Sequence, residues 1–353
     1  MHPVLNPVFQ AMTQENEQIN DLFEAFKGCK ILILGDVMID AYLWGRVERI
    51  SPEAPVPVVQ LVRRESMLGG AANVALNIKA LGGEPVLCAV IGNDARADEF
   101  VGLLQHAGID SSGIFRSNSR LTTTKFRIIG NTTQMLRVDE EVEVDLDAQE
   151  EEMLMIGLER MVEIHHPGAV IMQDYNKGVL SRSVIERAIQ LFNGHGIPVA
   201  VDPKKKNFEH YRNVDLFKPN LKELREGLKI DFKSGDVTSL SEAARRLHIQ
   251  QGINTVLITL SDEGIFMSQQ QEDTYKEIRL PAHFRKIADV SGAGDTVISV
   301  AALCRAAGAG METIAALANL AGGLVCEHVG VVPVDKSRLK SEALLLDLNE
   351  YKE

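Results

Sequence analysis

A short, unbroken apolar run, Ile31-Leu32-Ile33-Leu34, ends in Gly35-Asp36 and reads as a strand buried on both faces. Runs of the same kind recur at 169–172, 197–201, 215–217 and 256–259, with helical periodicity between most of them. Strands alternating with helices predict βαβ units, and hence a mostly parallel sheet covered on both faces in a three-layer α/β/α domain. Ahead of the first run, Ile19, Leu22, Phe23 and Phe26 recur at helical spacing and predict one short amphipathic helix in an arm over residues 1–28, leaving 29–353 as the main domain.

Two segments break the rhythm. Val56 to Arg64 and Thr122 to Val138 are strand-like but mixed in polarity, and Gly130-Asn131 has the chemistry of a tight hairpin. These segments predict a small antiparallel β lid, inserted at about 45–66 and 116–138. Its strands are also the expected surface of a homodimer, since pairing would hide their edges.

Composition narrows the function classes. With 37 basic and 49 acidic residues the net charge is −12, a field that repels nucleic acid, so an anionic substrate must be held by a few placed cations and amides. The four cysteines form no C-x-x-C pair. The acidic residues Glu15, Glu17, Asp21 and Glu24 oppose a secretory leader, and no apolar stretch reaches membrane-spanning length. The expectation is a cytoplasmic protein with no membrane partner.

Three constellations carry chemistry. Gly292-Ala293-Gly294-Asp295 opens a helix rich in small residues, so unblocked N–H groups at its positive end suit an anion and Asp295 stands where a base on an incoming hydroxyl would be. Read alone, Asp295 is better explained as a structural capping residue of the helix start. Gly69-Gly70 precedes Asn73, whose carboxamide can donate to and accept from hydroxyl groups, although close helix-to-sheet packing explains paired glycines as well. Asp36 and Asp40 lie at and just beyond the first strand's carboxyl end, where open α/β sheets bind ligands. In Lys218-Pro219-Asn220-Leu221-Lys222-Glu223, Asn220 and Glu223 fit a helix capping box and also a polar pair beside a magnesium phosphate. There is no G-x-x-x-x-G-K-[ST] loop, and Val297 interrupts a dinucleotide fingerprint, which weakens a dehydrogenase reading. A non-catalytic binder of sugar or nucleotide would not need Asp295.

These motifs, in this order, resemble the signatures of the ribokinase or PfkB carbohydrate-kinase family, over about residues 30–334. The segments 35–40, 50–58 and 173–178 resemble more narrowly the branch that phosphorylates D-glycero-β-D-manno-heptose 7-phosphate at its anomeric hydroxyl, a step toward the lipopolysaccharide inner core. The resemblance implies an ATP- and Mg²⁺-dependent kinase with Asp295 as base and the amides of Gly292, Ala293 and Gly294 as anion hole. It assigns nucleotide and magnesium to Asn220, Leu221, Lys222 and Glu223, with Thr259, Ser261, Gly264 and Asn319 completing the ATP site, and a monovalent cation such as K⁺ near Asp289 and Ser291. It assigns the sugar to Asp36, Asp40, Gly69, Gly70, Asn73 and Asp174, with Lys177 and Arg137 chosen for the sugar phosphate ahead of the run Lys204-Lys205-Lys206, which reads as a solvated loop. Some members of that branch carry a fused nucleotidyltransferase. No H-x-G-H motif occurs here, so the adenylyl step is expected on another protein.

Overall fold

The apolar runs become adjacent parallel strands in the computed structural model, which describes residues 7–233, 235–272 and 274–346. In chain order the elements are α1 (Pro7–Ala25), β1 (Lys30–Gly35), β2 (Val37–Ile50), β3 (Pro57–Gly70), α2 (Ala71–Leu81), β4 (Glu84–Gly92), α3 (Ala95–His106), β5 (Ile114–Ser117), β6 (Thr124–Gly130) and β7 (Thr133–Glu140). They continue with α4 (Ala148–His165), β8 (Ala169–Gln173), α5 (Arg182–Gly194), β9 (Val199–Asp202), β10 (Leu216–Phe217), α6 (Leu221–Leu228), α7 (Val237–Gln251) and β11 (Thr255–Thr259). The last are β12 (Ile265–Gln271), β13 (Thr274–Leu280), α8 (Ala293–Ala306), α9 (Met311–Val325) and α10 (Lys336–Ala343).

The main sheet runs β13-β12-β11-β10-β9-β8-β1-β4-β5. Strands β11 to β5 along this order are parallel, and β12 and β13 add an antiparallel edge. Alternation along β1 divides the core: Ile31 and Ile33 pack into one apolar layer with α2, α8 and α9, while Leu32 and Leu34 pack into the other with α4, α5 and α7. Growth of the sheet reverses at β1, with β4 on one side and β8 on the other, which is where such sheets open a crevice at their carboxyl ends.

The segment read as an arm enters the first of these layers. Ile19, Leu22, Phe23 and Phe26 are all buried there, and each phenylalanine contributes roughly 1.5–3 kcal/mol by leaving water.

The second sheet runs β3-β2-β6-β7. Its outer pairs are antiparallel, but its central pair β2–β6 is parallel, so the lid is mixed at its centre. Gly130 pairs with Thr133 across a two-residue turn in which Asn131 takes φ 60°, the left-handed conformation that asparagine tolerates. Strand β2 is the element the sequence pattern did not reveal. Only Asp36 separates it from the end of β1, so Asp40 belongs to the lid and not to a loop beyond β1. Among the described residues no helix is long and apolar enough to cross a membrane.

Candidate active site

The carboxyl ends of β8, β9, β10 and β11 and the start of α8 surround a cavity of about 690 Å³. Its wall includes Tyr175, Asp202, Lys204, Lys218, Asn220, Glu223, Thr259, Gly292 to Asp295 and Asn319. Each strand delivers its polar residue as it leaves the sheet, so local chain reversal places the site.

Gly292 caps α8 with φ 79°, a conformation that side chains resist, and exposes the first amides of the helix toward the cavity. A Cβ built on Gly294 would lie 3.5 Å from the Lys218 ammonium and 3.7 Å from Asp202 Oδ2. The turn therefore joins a positive helix end to a buried cation. One residue on, Asp295 is buried. Its Oδ2 accepts from Asn73 Nδ2 at 2.7 Å, and its Oδ1 accepts from the Tyr175 hydroxyl at 2.7 Å and Gln173 Nε2 at 3.1 Å. Burial pushes the Asp295 carboxyl up to about 6, with Asp202 adding to the rise and the Asn73 and Tyr175 hydrogen bonds and Lys218 opposing it. A carboxylate with that value is ionised at neutral pH yet basic enough to take a proton.

Asp202 is the hub between the helix turn and the sheet. Its Oδ2 meets Lys218 Nζ at 3.0 Å and accepts from Gln173 Nε2 at 3.1 Å. Burial alone would raise this carboxyl, but Lys218 and Lys204 outweigh it and hold it below the ordinary range. The two carboxylates facing Gln173 require its NH₂ end to point at both, and its Oε1 is then buried without a hydrogen-bond partner among the described residues.

The expected sugar residues divide. Asp40 is buried on the lid, bound to Arg127 Nη1 at 2.5 Å, and a Cβ on Gly69 would come within 2.4 Å of its Oδ2. Gly70 takes φ 61° at the start of α2, and Asn73 reaches Asp295 from the first turn of that helix. Asp36, however, is a clasp. Its carboxylate accepts from the backbone N–H groups of Tyr175, Lys177 and Val179 at 2.8, 3.0 and 3.1 Å, which takes up both positions of Oδ2 and one of Oδ1 and fixes the turn after β8. Burial, then the neighbouring Asp174, raise its carboxyl to about 6.

Asp174 likewise turns away from the cavity and accepts from Tyr211 Oη at 2.8 Å, Asn207 Nδ2 at 3.2 Å and its own turn at Asn176 N–H, 2.7 Å. Lys177 is neutralised by Glu141 and Glu143, each 2.8 Å away, and their pull overcomes burial to raise its ammonium. Arg137 is exposed and pairs with Asp139 at 3.0 Å, though it lies directly across from Arg127 on the neighbouring strand.

On the opposite side of the cavity, Asn220 and Glu223 form the capping box of α6 and also line the wall, so both readings of the pair coexist. Leu221 and Lys222 do not line it: Leu221 packs against the apolar layer beneath α7, and Lys222 is exposed. Thr259 bridges to Asn220, Ser261 and Gly264 turn the chain with positive φ, and Asn319 donates to the Pro281 carbonyl at 2.8 Å. Asp289 accepts from Ser291 N–H and Oγ–H and from Gly330 N–H. Burial works against the charge of Asp289, but these bonds outweigh it and lower its carboxyl. Among the described residues no group of three or more His, Cys, Asp or Glu forms a metal cluster.

The lysine run is corrected by the structure. Lys204 lines the cavity, ion-pairs with Glu223 and lies 5.5 Å from the centroid of the Tyr175 ring, while its two neighbours pair on the surface. Burial opposes its charge, but Asp202 and Glu223 outweigh that and raise its ammonium. Lys218, Asp202, Gln173 and Tyr175 were given no role of their own by the sequence reading, although Lys218, Gln173 and Tyr175 fall within segments it singled out. Their one common signal is position, immediately at or after the carboxyl ends of apolar runs.

A pfkB family carbohydrate kinase profile matches residues 29–337. A bifunctional protein HldE from Desulfatibacillum aliphaticivorans is 40% identical over 329 residues, covering 93% of this chain and 66% of that protein. Another, from Methylobacillus flagellatus, is 39% identical over 312 residues, covering 88% and 62%. The chain thus spans somewhat under two thirds of the length of these curated relatives. Among solved structures, phosphofructokinase-2 from Escherichia coli in complex with fructose-6-phosphate superposes with a TM-score of 0.71 at 17% identity, covering 89% of this chain and 97% of that one. Arabidopsis thaliana ribokinase complexed with ribose and ATP gives 0.67 at 18%, covering 91% and 100%. At these identities the structural likeness establishes the fold.

Proposed function

The chain belongs to the pfkB family of carbohydrate kinases, and from that premise we propose that it transfers the γ-phosphoryl group of ATP to the anomeric hydroxyl of D-glycero-β-D-manno-heptose 7-phosphate, giving the 1,7-bisphosphate. The observation that carries this reading is the juxtaposition of Asp295 with the glycine-lined helix start and Lys218 in one cavity. Asp295 takes the proton of the acceptor hydroxyl. The amides of Gly292 to Asp295 and the Lys218 ammonium meet the charge that develops on the moving phosphoryl oxygens. The narrower substrate rests on the heptose-kinase resemblance and on the identity to the HldE proteins, and includes a role in lipopolysaccharide inner-core assembly.

Mg²⁺ binds few protein ligands and keeps water and phosphate oxygens, which fits a wall offering one carboxamide and one carboxylate, Asn220 and Glu223. The ion would shield the β- and γ-phosphates. Asp289 and Ser291 are the residues we propose for a monovalent cation. For the sugar we assign Asp40, Gly69, Gly70 and Asn73, and Arg127 joins Arg137 as a cation for the distal phosphate. A homodimer is proposed through the lid, and the reaction is assigned to the cytoplasm, where ATP is supplied.

A coupled assay of ADP release across a panel of phosphorylated sugars tests the reading. Heptose 7-phosphate is expected to give the highest kcat/KM, and preference for an unphosphorylated sugar or a nucleoside would refute the substrate assignment.

A further inference from the structure

A base that must accept one proton is held here by three donors. Oδ1 of Asp295 receives both the Tyr175 hydroxyl and Gln173 Nε2, and Oδ2 receives Asn73 Nδ2. Each carboxylate oxygen offers two acceptor positions, so among the described residues Oδ1 is full and Oδ2 keeps one. We infer that Tyr175 is a positioning residue for phosphoryl transfer, its phenol pinning Oδ1 of Asp295 so that only the remaining lone pair of Oδ2 meets the acceptor hydroxyl. This inference deepens the kinase reading and rests on it.

Tyr175 is itself anchored. Its backbone N–H donates to Asp36 Oδ2 at 2.8 Å, and the Lys204 ammonium sits over its ring. Burial and the adjoining Asp295 charge push the phenol far above its ordinary value, so it stays a donor at every working pH. In the transfer the acceptor O–H bond breaks and its proton goes to Oδ2. The freed oxygen bonds to the γ-phosphorus, and the bond to the bridging oxygen breaks with its electron pair leaving on ADP. Asp295 then returns the proton to solvent, and Tyr175 keeps its own throughout.

The charged groups facing Asp295 are Asp202 and Lys204 from the end of β9 and Lys218 after β10, with Asp40 of β2 acting on Tyr175; α2 presents the neutral Asn73. Tyr175→Phe leaves all of these in place, so a change in pH profile isolates the phenol.

With heptose 7-phosphate and MgATP, Tyr175→Phe is expected to move the acid limb of kcat/KM up by about one pH unit. The rate at pH 6 then falls about fivefold, the rates converge above pH 8, and the KM for ATP is unchanged. Global replacement of tyrosine by 3-fluorotyrosine, a stronger donor, is expected to move the limb down, and it reports independently of how Tyr175→Phe folds. An unmoved limb in both experiments, or a loss uniform across pH, overturns the positioning role. Asp295→Asn separates the two ideas: an intact acid limb in that variant removes the base itself, whereas its loss alongside an unmoved limb in Tyr175→Phe removes only the role of Tyr175.

Discussion

At the scale of single residues, burial and pairing decide what each charge can do. Asp295 must be ionised to act, and its carboxyl lies near 6. The rate should therefore fall about tenfold per pH unit below that value and level off above it, a profile that kcat/KM from pH 5 to 8.5 reports. Lys218 is buried against Asp202, and truncating it to Met leaves that carboxylate, among the described cations, with only the Lys204 ammonium at 3.8 Å. Thermal unfolding should register a loss of roughly 1–3 kcal/mol for Lys218→Met, together with loss of turnover; an unchanged midpoint would mean that Lys204 and cavity water compensate.

Pairing also sets the surroundings of three of the expected sugar residues. A motif shows that Asp36, Asp174 and Lys177 follow strand ends, but only the fold shows that backbone amides, Tyr211 and two glutamates already occupy them. Lys204 was obscured for the opposite reason, since three adjacent lysines carry no mark of which one turns inward.

Among elements, the start of α8 separates backbone strain from function. Gly292 takes φ 79°, so Gly292→Ala should cost about 1–2 kcal/mol, seen as a lower unfolding midpoint. At Gly294 the backbone is helical and a Cβ meets nothing closer than 3.5 Å. Gly294→Ala should therefore fold with an unchanged midpoint while turnover falls by about 10²-fold or more, because the methyl group fills space meant for phosphoryl oxygens. Normal turnover in that variant would place the anion elsewhere. Short apolar strands such as β1, β8 and β11 were legible because burial on both faces leaves an uninterrupted run. Strand β2 was not, because Asp40, Gly45 and Arg46 interrupt its pattern where it changes from core strand to lid.

The whole molecule combines a rigid three-layer sheet with a lid whose two faces differ. Register puts Leu43, Ile128 and Leu136 on one face with Phe126 and Val138, and Leu136 and Val138 are 54% and 43% exposed. The other face carries Tyr42, Arg127 and Arg137. An apolar face this exposed on one side of a four-stranded sheet is suited to a second copy. Light scattering should give a dimer mass, and Leu136→Asp should give a monomer that remains folded; a wild-type monomer at micromolar concentration would contradict this. The layer architecture was readable from strand and helix periodicity, whereas the faces of the lid emerged only once the register was fixed.

The joint placement of carboxylate, glycine turn and buried lysine is tested most directly by ADP release from MgATP and heptose 7-phosphate in wild-type protein and Asp295→Asn. The account predicts robust turnover in the first and a loss of at least about 10²-fold in the second, with the fold intact by circular dichroism. Turnover within a few fold of wild type would contradict it.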